Sequence, residues 1–293
     1  MEVFQQLING LSLGSIYALI ALGYTMVYGI IQLINFAHGD VLMVGAYVGW
    51  FAMTGLHLSV FTALAMSMLS CAILGVIIER VAYKPLRNSS RIAVLITAIG
   101  VSLFLEYTMM YFMGAKVRAY PDLPGYLAGS FTIGGVTIKT IQIMIVGISV
   151  LLMLVLQFIV KQTRVGKAMR AVSQDAEAAR LMGINVDTTI SLTFAMGSAL
   201  AGAAGVLWGV YYTSINPLMG IMPGLEAFVA AVLGGIGLIP GALIGAYIVG
   251  LLQTTAIAFN LSLFRDAVVF IVLILILIVK PAGLLGKNVK EKV

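Results

Sequence analysis

The chain has 293 residues, of which 61% are hydrophobic and only 10% are charged, whereas about 25% of the residues in a soluble domain carry charge. So few charges exclude a water-soluble globular protein, and the long apolar stretches predict membrane spans. The net charge of +6 does not indicate nucleic-acid binding, because the cations lie in short runs between apolar segments and form no basic domain. We expect the chain to lie in the lipid bilayer and to bind no nucleic acid.

Apolar stretches long enough to cross about 30 Å of hydrocarbon recur along the chain. The eight predicted spans cover residues 4–30, 41–55, 59–79, 92–112, 140–160, 188–210, 241–259 and 266–280. A ninth apolar run, Leu225–Gly235, is too short for an ordinary crossing, so it is either a half-helix that dips into the membrane or part of a broken crossing. The predicted fold is all-α: a polytopic membrane helical bundle of eight or nine segments, forming one domain over residues 1–293.

The loops differ in positive charge, which predicts their side of the membrane. Arg80–Arg91 and Lys161–Arg180 are rich in cations and are expected to face the cytoplasm. The tail beyond Lys280 carries three more lysines, so we also expect a cytoplasmic C-terminus; these are Lys287, Lys290 and Lys292. Asn216–Gly224 contains no cation and is expected outside. The side of the N-terminus stays open, because glycines in the first span allow it to break.

An internal repeat emerges when the sequence is shifted by 200 positions. Residues 41–48 then lie over residues 241–248, and both contain Gly-Ala-Tyr. Each copy is preceded by a segment that would break a helix, at residues 34–40 and 234–241. Matching breaks in two halves of a membrane protein indicate a transport pathway. The alternative interpretation is that the glycines only allow helices to pack closely.

The first break brings several polar residues to membrane depth, where they are costly and usually face a cavity or a partner. Asn35, His38 and Asp40 are therefore candidate pathway residues. A broken helix also offers free N–H groups for a carboxylate and free carbonyls for an ammonium group. Alternatively, Asn35 and His38 only satisfy backbone groups, and Asp40 caps the helix that starts near Val41. Glu106 is a weaker candidate. The second break adds Gly234, Gly235 and Gly237 to the predicted pathway.

The densest charged segment lies within a predicted cytoplasmic loop at about residues 162–187. Its residues 166–183 are rich in alanine and other helix formers, so they predict one short helix that Gly183 ends. Small alanines would let another protein approach the backbone, with Lys167 and Arg170 at the edge of the contact. The alternative is a helix that lies on anionic lipid headgroups through the same cations.

Part of this loop resembles a known motif. Glu177, Ala178 and Ala179, followed after three residues by Gly183, are similar to the Glu-Ala-Ala-x-x-x-Gly loop by which permeases of ATP-binding-cassette importers dock onto their ATPases. The isoleucine and Leu-Pro that usually follow are missing, since the chain continues from Ile190 straight into the next span. The match to this motif is therefore partial.

A wider resemblance covers nearly the whole chain. The segments Ser12–Ile31, Ile34–Asp40 and Ala231–Ala242 are similar to those of high-affinity branched-chain amino acid permeases, and Asn-Phe-Ala-His-Gly is the most specific piece. The resemblance implies a permease subunit of a bacterial inner-membrane importer for leucine, isoleucine and valine. It also implies a second homologous permease, two cytoplasmic ATPases and an external substrate-binding protein as partners.

Two other functions stay open at this point. One is an importer of the same build for urea, short amides or other amino acids, and the other is a secondary transporter or channel without ATPases. An enzyme is not expected, because the chain lacks a phosphate-binding Gly-x-x-x-x-Gly-Lys-Ser/Thr, a His-Glu-x-x-His and a Gly-x-Ser-x-Gly motif. With two histidines and one cysteine, Cys71, we expect no metal site, no disulfide and no cofactor.

Overall fold

The computed structural model describes residues 2–87, 89–125, 127–133 and 135–286, and 77% of it is helical. The helices are α1 (Glu2–Ile31), α2 (His38–Thr54), α3 (Val60–Ile78), α4 (Arg91–Met113), α5 (Thr140–Gln162), α6 (Arg164–Gln174), α7 (Ala176–Leu181), α8 (Val186–Tyr212), α9 (Ile221–Gly234), α10 (Ile239–Ala258) and α11 (Arg265–Val279). Two antiparallel strand pairs join β1 (Arg118–Ala119) to β4 (Ser214–Ile215) and β2 (Ser130–Ile133) to β3 (Val136–Lys139). Lys287, Lys290 and Lys292, which support the predicted cytoplasmic C-terminus, lie outside the described residues.

Seven helical stretches in the described residues are long and apolar enough to cross a membrane. They contain α1, α3, α4, α5, α8, α10 and α11, and they coincide with seven of the eight predicted windows. The two remaining apolar helices are shorter, with 17 residues in α2 and 14 in α9. At about 1.5 Å per residue, neither reaches the roughly 30 Å of a bilayer core. A polytopic helical membrane protein is confirmed, whereas the count of eight or nine segments stays a prediction.

Helices α1 and α8 form the centre of the bundle. In each of them 78% of the most apolar window is buried, compared with 22% in α4 and α5 and 6% in α11. The two central helices cross where Gly23 meets Gly197, because a Cβ on Gly197 would lie 3.3 Å from the Gly23 Cα. Small residues allow such close approach in a membrane, where apolar burial alone gives helices little reason to associate. The outer helices α4, α5 and α11 therefore present their exposed apolar surfaces to the surroundings.

The chain contains two structurally related halves, α1–α4 and α8–α11. Helix α1 packs along α10, and α8 packs in the same way along α3. Helix α2 packs on α3 and α8, as α9 packs on α10 and α1. Exchanging the two halves therefore preserves these neighbours, whereas the last helices differ, since α11 packs on both α9 and α10 and α4 packs on α2. In this correspondence α2 matches α9, and the helices α5–α7 connect the halves.

This correspondence corrects the 200-residue register, which placed α2 over α10. The shared Gly-Ala-Tyr triplets mark places of close packing instead. A Cβ on Gly45 would lie 2.6 Å from the Cα of Gly202 in α8, and a Cβ on Gly245 would overlap the carbonyl oxygen of Ala230 in α9. The two glycines have similar neighbours because each lets its helix approach another backbone, which was the alternative interpretation of the repeat.

Candidate functional site

The predicted break after the first helix is present. Gln32 adopts a left-handed backbone conformation with φ of 54° directly after α1, and residues 33–36 are not helical. Helix α2 begins at His38 after the N-cap residue Ala37, and no side chain accepts a capping hydrogen bond there. The prediction that Asp40 caps this helix is therefore wrong. Because the helix starts at His38, three residues before the predicted start near Val41, Asp40 occupies its first turn and its side chain is available for another contact.

Asn35 and His38 are both buried but have different surroundings. The Oδ1 atom of Asn35 accepts a hydrogen bond of 2.9 Å from the hydroxyl of Tyr83, in the short π-helix (Glu79–Tyr83) that continues α3. The imidazole of His38 lies edge-on to the ring of Tyr24, with 4.8 Å between centroids, and fills the space left by Gly23. Its Nε2 atom has no hydrogen-bond partner among the described residues. These contacts lock the break against α1 and α3.

Asp40 lines a cavity of about 260 Å³ between α1, α2, α4 and α9. Its Oδ2 atom accepts a hydrogen bond of 2.5 Å from the Ser102 hydroxyl on α4. Its Oδ1 atom is buried and has no partner among the described residues. Glu106, which is also buried, lines the same cavity. The structure thus brings the weaker candidate of the sequence analysis next to the stronger one.

A second break, which the sequence analysis missed, separates α8 from α9. Thr213 has φ of 55°, like the equivalent Gln32. The amide of Met219 donates to the Asn216 carbonyl at 3.1 Å, as the amide of His38 donates to the Asn35 carbonyl at 3.1 Å. The signal is in the sequence: Ile-Asn-x-x-x-Gly occurs at residues 34–39 and again at 215–220. The structural repeat therefore has a period of 181 positions.

The starts of α2 and α9 touch each other. A Cβ on Gly39 would overlap the carbonyl oxygen of Gly220 and would lie 3.0 Å from the Cα of Gly224. Gly220 and Gly224 also line the cavity that contains Asp40. Two interrupted helices therefore meet at their N-terminal ends beside this cavity.

The segment that the sequence analysis took as the second break, residues 234–241, lies elsewhere. Its glycines Gly234, Gly235 and Gly237 are at the turn between α9 and α10. Gly235 and Gly237 have positive φ, of 110° and 90°. The amides of Leu284 and Leu285 donate to the carbonyls of Leu233 and Gly234, at 2.9 and 3.0 Å. Gly237 lines a separate cavity of about 100 Å³ together with Arg170 of α6. These glycines therefore adjoin the predicted cytoplasmic segment and not the cavity of Asp40.

The predicted cytoplasmic helix consists of two helices, α6 and α7. Asp175 separates them with an extended backbone, and its Oδ1 atom accepts hydrogen bonds of 2.9 Å from the amides of Glu177 and Ala178. Aspartate is a strong N-cap, which explains the break. Gly183 ends α7 with φ of 83°, while the amides of Gly183 and Ile184 return to the carbonyls of Arg180 and Ala179. The expected helix stop at Gly183 is thus confirmed.

The surface of this segment combines polar and apolar residues. Lys167, Glu177 and Ala178 are exposed, whereas Ala179 is buried against the protein. The guanidinium of Arg170 donates to the carbonyl of Val160, so one of its hydrogen bonds is already made within the chain. Leu181 and Met182, which the sequence analysis did not single out, are 88% and 82% exposed. Two such apolar side chains at the tip of a helix suit contact with another protein.

An ion cluster ties the start of α8 to the end of α3. Arg87 bridges the carboxylates of Glu79 and Asp187, and Lys84 lies 2.8 Å from Asp187. Glu79 is fully buried and also accepts a hydrogen bond of 2.6 Å from Ser191. The cluster joins the two halves just after the α6–α7 segment, so it links that segment to the helices of the first half.

A second buried carboxylate, Glu226, lies on α9. The hydroxyl of Tyr17 donates to one of its oxygens, and the amide of Gln253 donates to the other. Gln253 also donates to Asp266 at 3.2 Å, and Asp266 lies 3.0 Å from Arg265. Both oxygens of Glu226 are therefore satisfied within the protein, in contrast to those of Asp40.

A larger cavity of about 620 Å³ lies between the α4–α5 connection and the start of the α8–α9 connection, which contains the segment Asn216–Gly224 that is predicted to be outside. Its lining includes carboxamides and two opposite charges, from Gln5, Asn9, Gln142, Asp122 and Lys139. Tyr120 also lines it, and burial raises the pKa of the Tyr120 hydroxyl above its ordinary value. A polar vestibule of this kind can hold water and small polar solutes.

Comparisons with known proteins agree with this architecture. A family described as "Branched-chain amino acid transport system / permease component" matches residues 6–277. The high-affinity branched-chain amino acid transport system permease protein BraD of Pseudomonas aeruginosa is 46% identical, over 99% of this chain and 97% of its own. The permease protein LivH of the corresponding system in Salmonella typhimurium is 45% identical with the same coverage. The solved structure of PsaBC from Streptococcus pneumoniae in complex with a Fab has a similar fold, with a TM-score of 0.51, 13% identity, and coverage of 94% of this chain and 91% of its own.

Proposed function

Because the chain belongs to the family of branched-chain amino acid transport permease components, we propose that it forms the membrane pathway of an ATP-driven importer for leucine, isoleucine and valine. The chain is a transport component and not an enzyme. The observation that carries the proposal is the meeting of two interrupted helices, α2 and α9, beside the buried carboxylate of Asp40. Broken helices that converge on a polar site are the usual construction of a substrate pathway in membrane transporters.

The partners in this proposal are a second homologous permease, two cytoplasmic ATPase subunits and an external substrate-binding protein. The assembly would lie in the cytoplasmic membrane of a bacterium, with the α6–α7 segment and the C-terminus on the inner side. The cation-rich loops around Arg87 and Arg170 support this orientation. The outer cavity would then open toward the substrate-binding protein.

The α6–α7 segment is our candidate for the contact with an ATPase. Leu181 and Met182 would enter an apolar groove, and Lys167 and Glu177 would supply polar contacts at its rim. Helix α6 packs on α1, α5 and α8, so a displacement of the segment would be passed to both central helices. ATP binding can drive this change only if the nucleotide-bound ATPases prefer a different arrangement of the permease from the nucleotide-free ones.

The pathway residues in this proposal are Asn35, His38 and Asp40, with Gly234, Gly235 and Gly237 as a flexible turn near the α6–α7 segment. The last three lie away from the cavity, so their part would be movement and not contact with substrate. Gly235 and Gly237 support this assignment, because their positive φ angles suit a turn that only glycine adopts without strain.

The test is uptake of radiolabelled leucine in cells that lack this chain and in cells complemented with it. We expect uptake to be lost and then restored, and we expect ATPases and a binding protein to copurify with the complementing chain from mild detergent. Unchanged leucine uptake together with lost urea or amide uptake would contradict the substrate but keep the importer class. Transport by a purified chain without any ATPase would contradict the class itself.

A further inference from the structure

We propose that Tyr83 transmits movement of the α6–α7 segment to the first break, residues 32–37 between α1 and α2. Tyr83 would act through a relay of five residues that runs from the start of α8 to this break: Asp187, Arg87, Glu79, Tyr83 and Asn35. This inference rests on the proposed function, because it assigns the connection between the ATPase contact and the pathway.

The relay ends at the break in a buried hydrogen bond. The Tyr83 hydroxyl donates to the Asn35 Oδ1 atom at 2.9 Å and lies 3.4 Å from the carbonyl oxygen of Ile34. Tyr83 is 1% exposed and Asn35 is 3% exposed, so water does not readily replace this bond when it is lost. Because residues 33–36 are not helical, their position depends on tertiary contacts of this kind.

The relay begins in the ion cluster. Arg87 bridges Glu79 and Asp187, and the Ser191 hydroxyl donates to Glu79 at 2.6 Å. Asp187 and Ser191 both belong to α8, which begins five residues after the end of α7. A displacement of the α6–α7 segment would therefore reach the neighbourhood of Tyr83 through ion pairs and a hydrogen bond.

The relay crosses the π-helix Glu79–Tyr83, which contains two of its residues. The amide of Lys84 donates to the carbonyl of Glu79, five residues earlier, whereas an α-helix would use Arg80. A return to α-helical bonding would turn the following residues by about 100° around the helix axis, which would separate Arg87 from Glu79. Such π-helical turns are rare and frequently occur at functional sites. This turn therefore provides two arrangements, which the transmission of a movement requires.

Tyr83→Phe tests the relay by removing a single hydroxyl. The native ring packs on Phe194 with 5.2 Å between ring centroids, and phenylalanine keeps that contact while it loses the bond to Asn35. The matched control is Tyr47→Phe on α2, because Tyr47 is also 1% exposed and its hydroxyl has no partner among the described residues. Gly100→Ala on α4 gives the reference for an inert substitution, since its Cβ would meet no atom within 4 Å.

The first experiment measures leucine uptake and ATP hydrolysis together, in proteoliposomes that contain the assembled importer with the loaded binding protein outside. We expect Tyr83→Phe to lower the leucine carried per ATP about fivefold, the factor by which one hydrogen bond shifts an equilibrium, while ATP hydrolysis changes less than twofold. Tyr47→Phe should leave both rates within twofold of the wild type. A parallel fall of both rates, or an unchanged ratio, would overturn the relay. Wild-type vesicles that hydrolyse ATP but carry no leucine would instead overturn the proposed substrate.

The second experiment follows the break itself and needs no leucine. Leu33 lies in the break and lines a cavity of about 250 Å³, so a cysteine replaces it in a Cys71→Ala background. Its rate of reaction with a thiol reagent is measured in the assembled complex in mild detergent, with and without a non-hydrolysable ATP analogue. We expect the analogue to change this rate at least threefold, and we expect Tyr83→Phe but not Tyr47→Phe to remove the change.

The outcomes of the labelling experiment separate the relay from the proposal on which it rests. A nucleotide effect at position 33 that survives Tyr83→Phe would overturn the relay and keep the ATP-driven importer. No nucleotide effect in the parent Leu33→Cys chain would overturn the coupling of an ATPase to the break, and the relay with it.

Discussion

The two halves of the molecule each place a buried carboxylate on their shorter helix, but they treat it differently. Glu226 on α9 receives hydrogen bonds at both oxygens, from Tyr17 and Gln253. Asp40 on α2 receives one from Ser102 and keeps Oδ1 without a partner in the described residues. A satisfied buried carboxylate holds helices together, whereas an unsatisfied one beside a cavity is available for a ligand. Glu226 thus holds its half together, whereas Asp40 is free for the role in the pathway that we propose for it.

The outermost helix of each half extends this contrast. In the second half, Asp266 of α11 accepts a hydrogen bond from Gln253 and forms an ion pair with Arg265. In the first half, α4 brings Ser102 and Glu106 to the cavity, and no Lys or Arg lines that cavity within the described part of the chain. In the first half, therefore, the carboxyl groups that line the cavity have no cation beside them among the described residues.

The largest effect should come from the segment that connects the halves. Gly183→Val places a β-branched residue where φ is 83°, which costs on the order of 1–3 kcal/mol of backbone strain. We expect α7 to lose its geometry and leucine uptake to fall below detection while the chain stays in the membrane. Uptake and ATPase copurification measure this, with Gly100→Ala as the control. Normal uptake by both Gly183→Val and Glu177→Lys would contradict the role of this segment in coupling.

Alanine substitutions compare the two carboxylates directly. Glu226→Ala leaves the Tyr17 hydroxyl and the Gln253 amide without their acceptor, so the free energy of unfolding should fall by about 1–3 kcal/mol. Asp40→Ala removes a carboxylate that is only half satisfied, so stability should be unchanged or higher while leucine transport is lost. Thermal unfolding in detergent gives the first quantity and proteoliposome uptake the second. Equal destabilisation by the two variants would remove the contrast between the halves.

A smaller effect is expected at the ion cluster that joins the halves. Asp187→Asn weakens the contacts with both Lys84 and Arg87, whereas Lys84→Gln removes only one of them. Because the Asp187 side chain is 45% exposed, each variant should cost at most about 1 kcal/mol of stability. Leucine transport should fall a few-fold for Asp187→Asn and less for Lys84→Gln. The reverse order would show that Asp187 does not connect α8 to the first half.

The smallest effect tests the equivalence of the two breaks. Gln32 and Thr213 have φ of 54° and 55°, a conformation that glycine adopts without steric cost. Gln32→Gly and Thr213→Gly should each raise the thermal stability slightly, by at most about 1 kcal/mol. The gain should be larger at Thr213, because its side chain is β-branched. A loss of stability at one position only would argue against equivalent geometry.

Hydropathy was sufficient to find the long helices, since a run of about 20 apolar residues has few possible structures other than a membrane-spanning helix. The first break was also predictable, because Asn35, His38 and Asp40 interrupt an apolar pattern. The second break was missed since the 200-residue shift matched a packing triplet, whereas the weaker Ile-Asn-x-x-x-Gly signal at residues 34–39 and 215–220 has the structural register.

The candidate site was predictable only in part. The cavity joins Asp40 to Glu106, which lie 66 positions apart, and to Gly220 on another helix. These residues come together only when particular faces of three helices pack against each other. One sequence does not directly show which helix faces will meet. The division of the cytoplasmic helix at Asp175 could have been read, because an aspartate before Ala-Glu-Ala-Ala is a strong N-cap.

The hydrogen bonds that close the end of α9 have a consequence for biosynthesis. Leu284 and Leu285 pair with Leu233 and Gly234, which are synthesised 51 positions earlier. The turn between α9 and α10 therefore stays incomplete while α10 and α11 are being inserted, because the residues that donate to its carbonyls are synthesised only after α11. Translation that stops after the end of α11 at Val279 but before residue 284 would yield a chain with every long helix but without these hydrogen bonds, which offers quality-control proteases a point of attack.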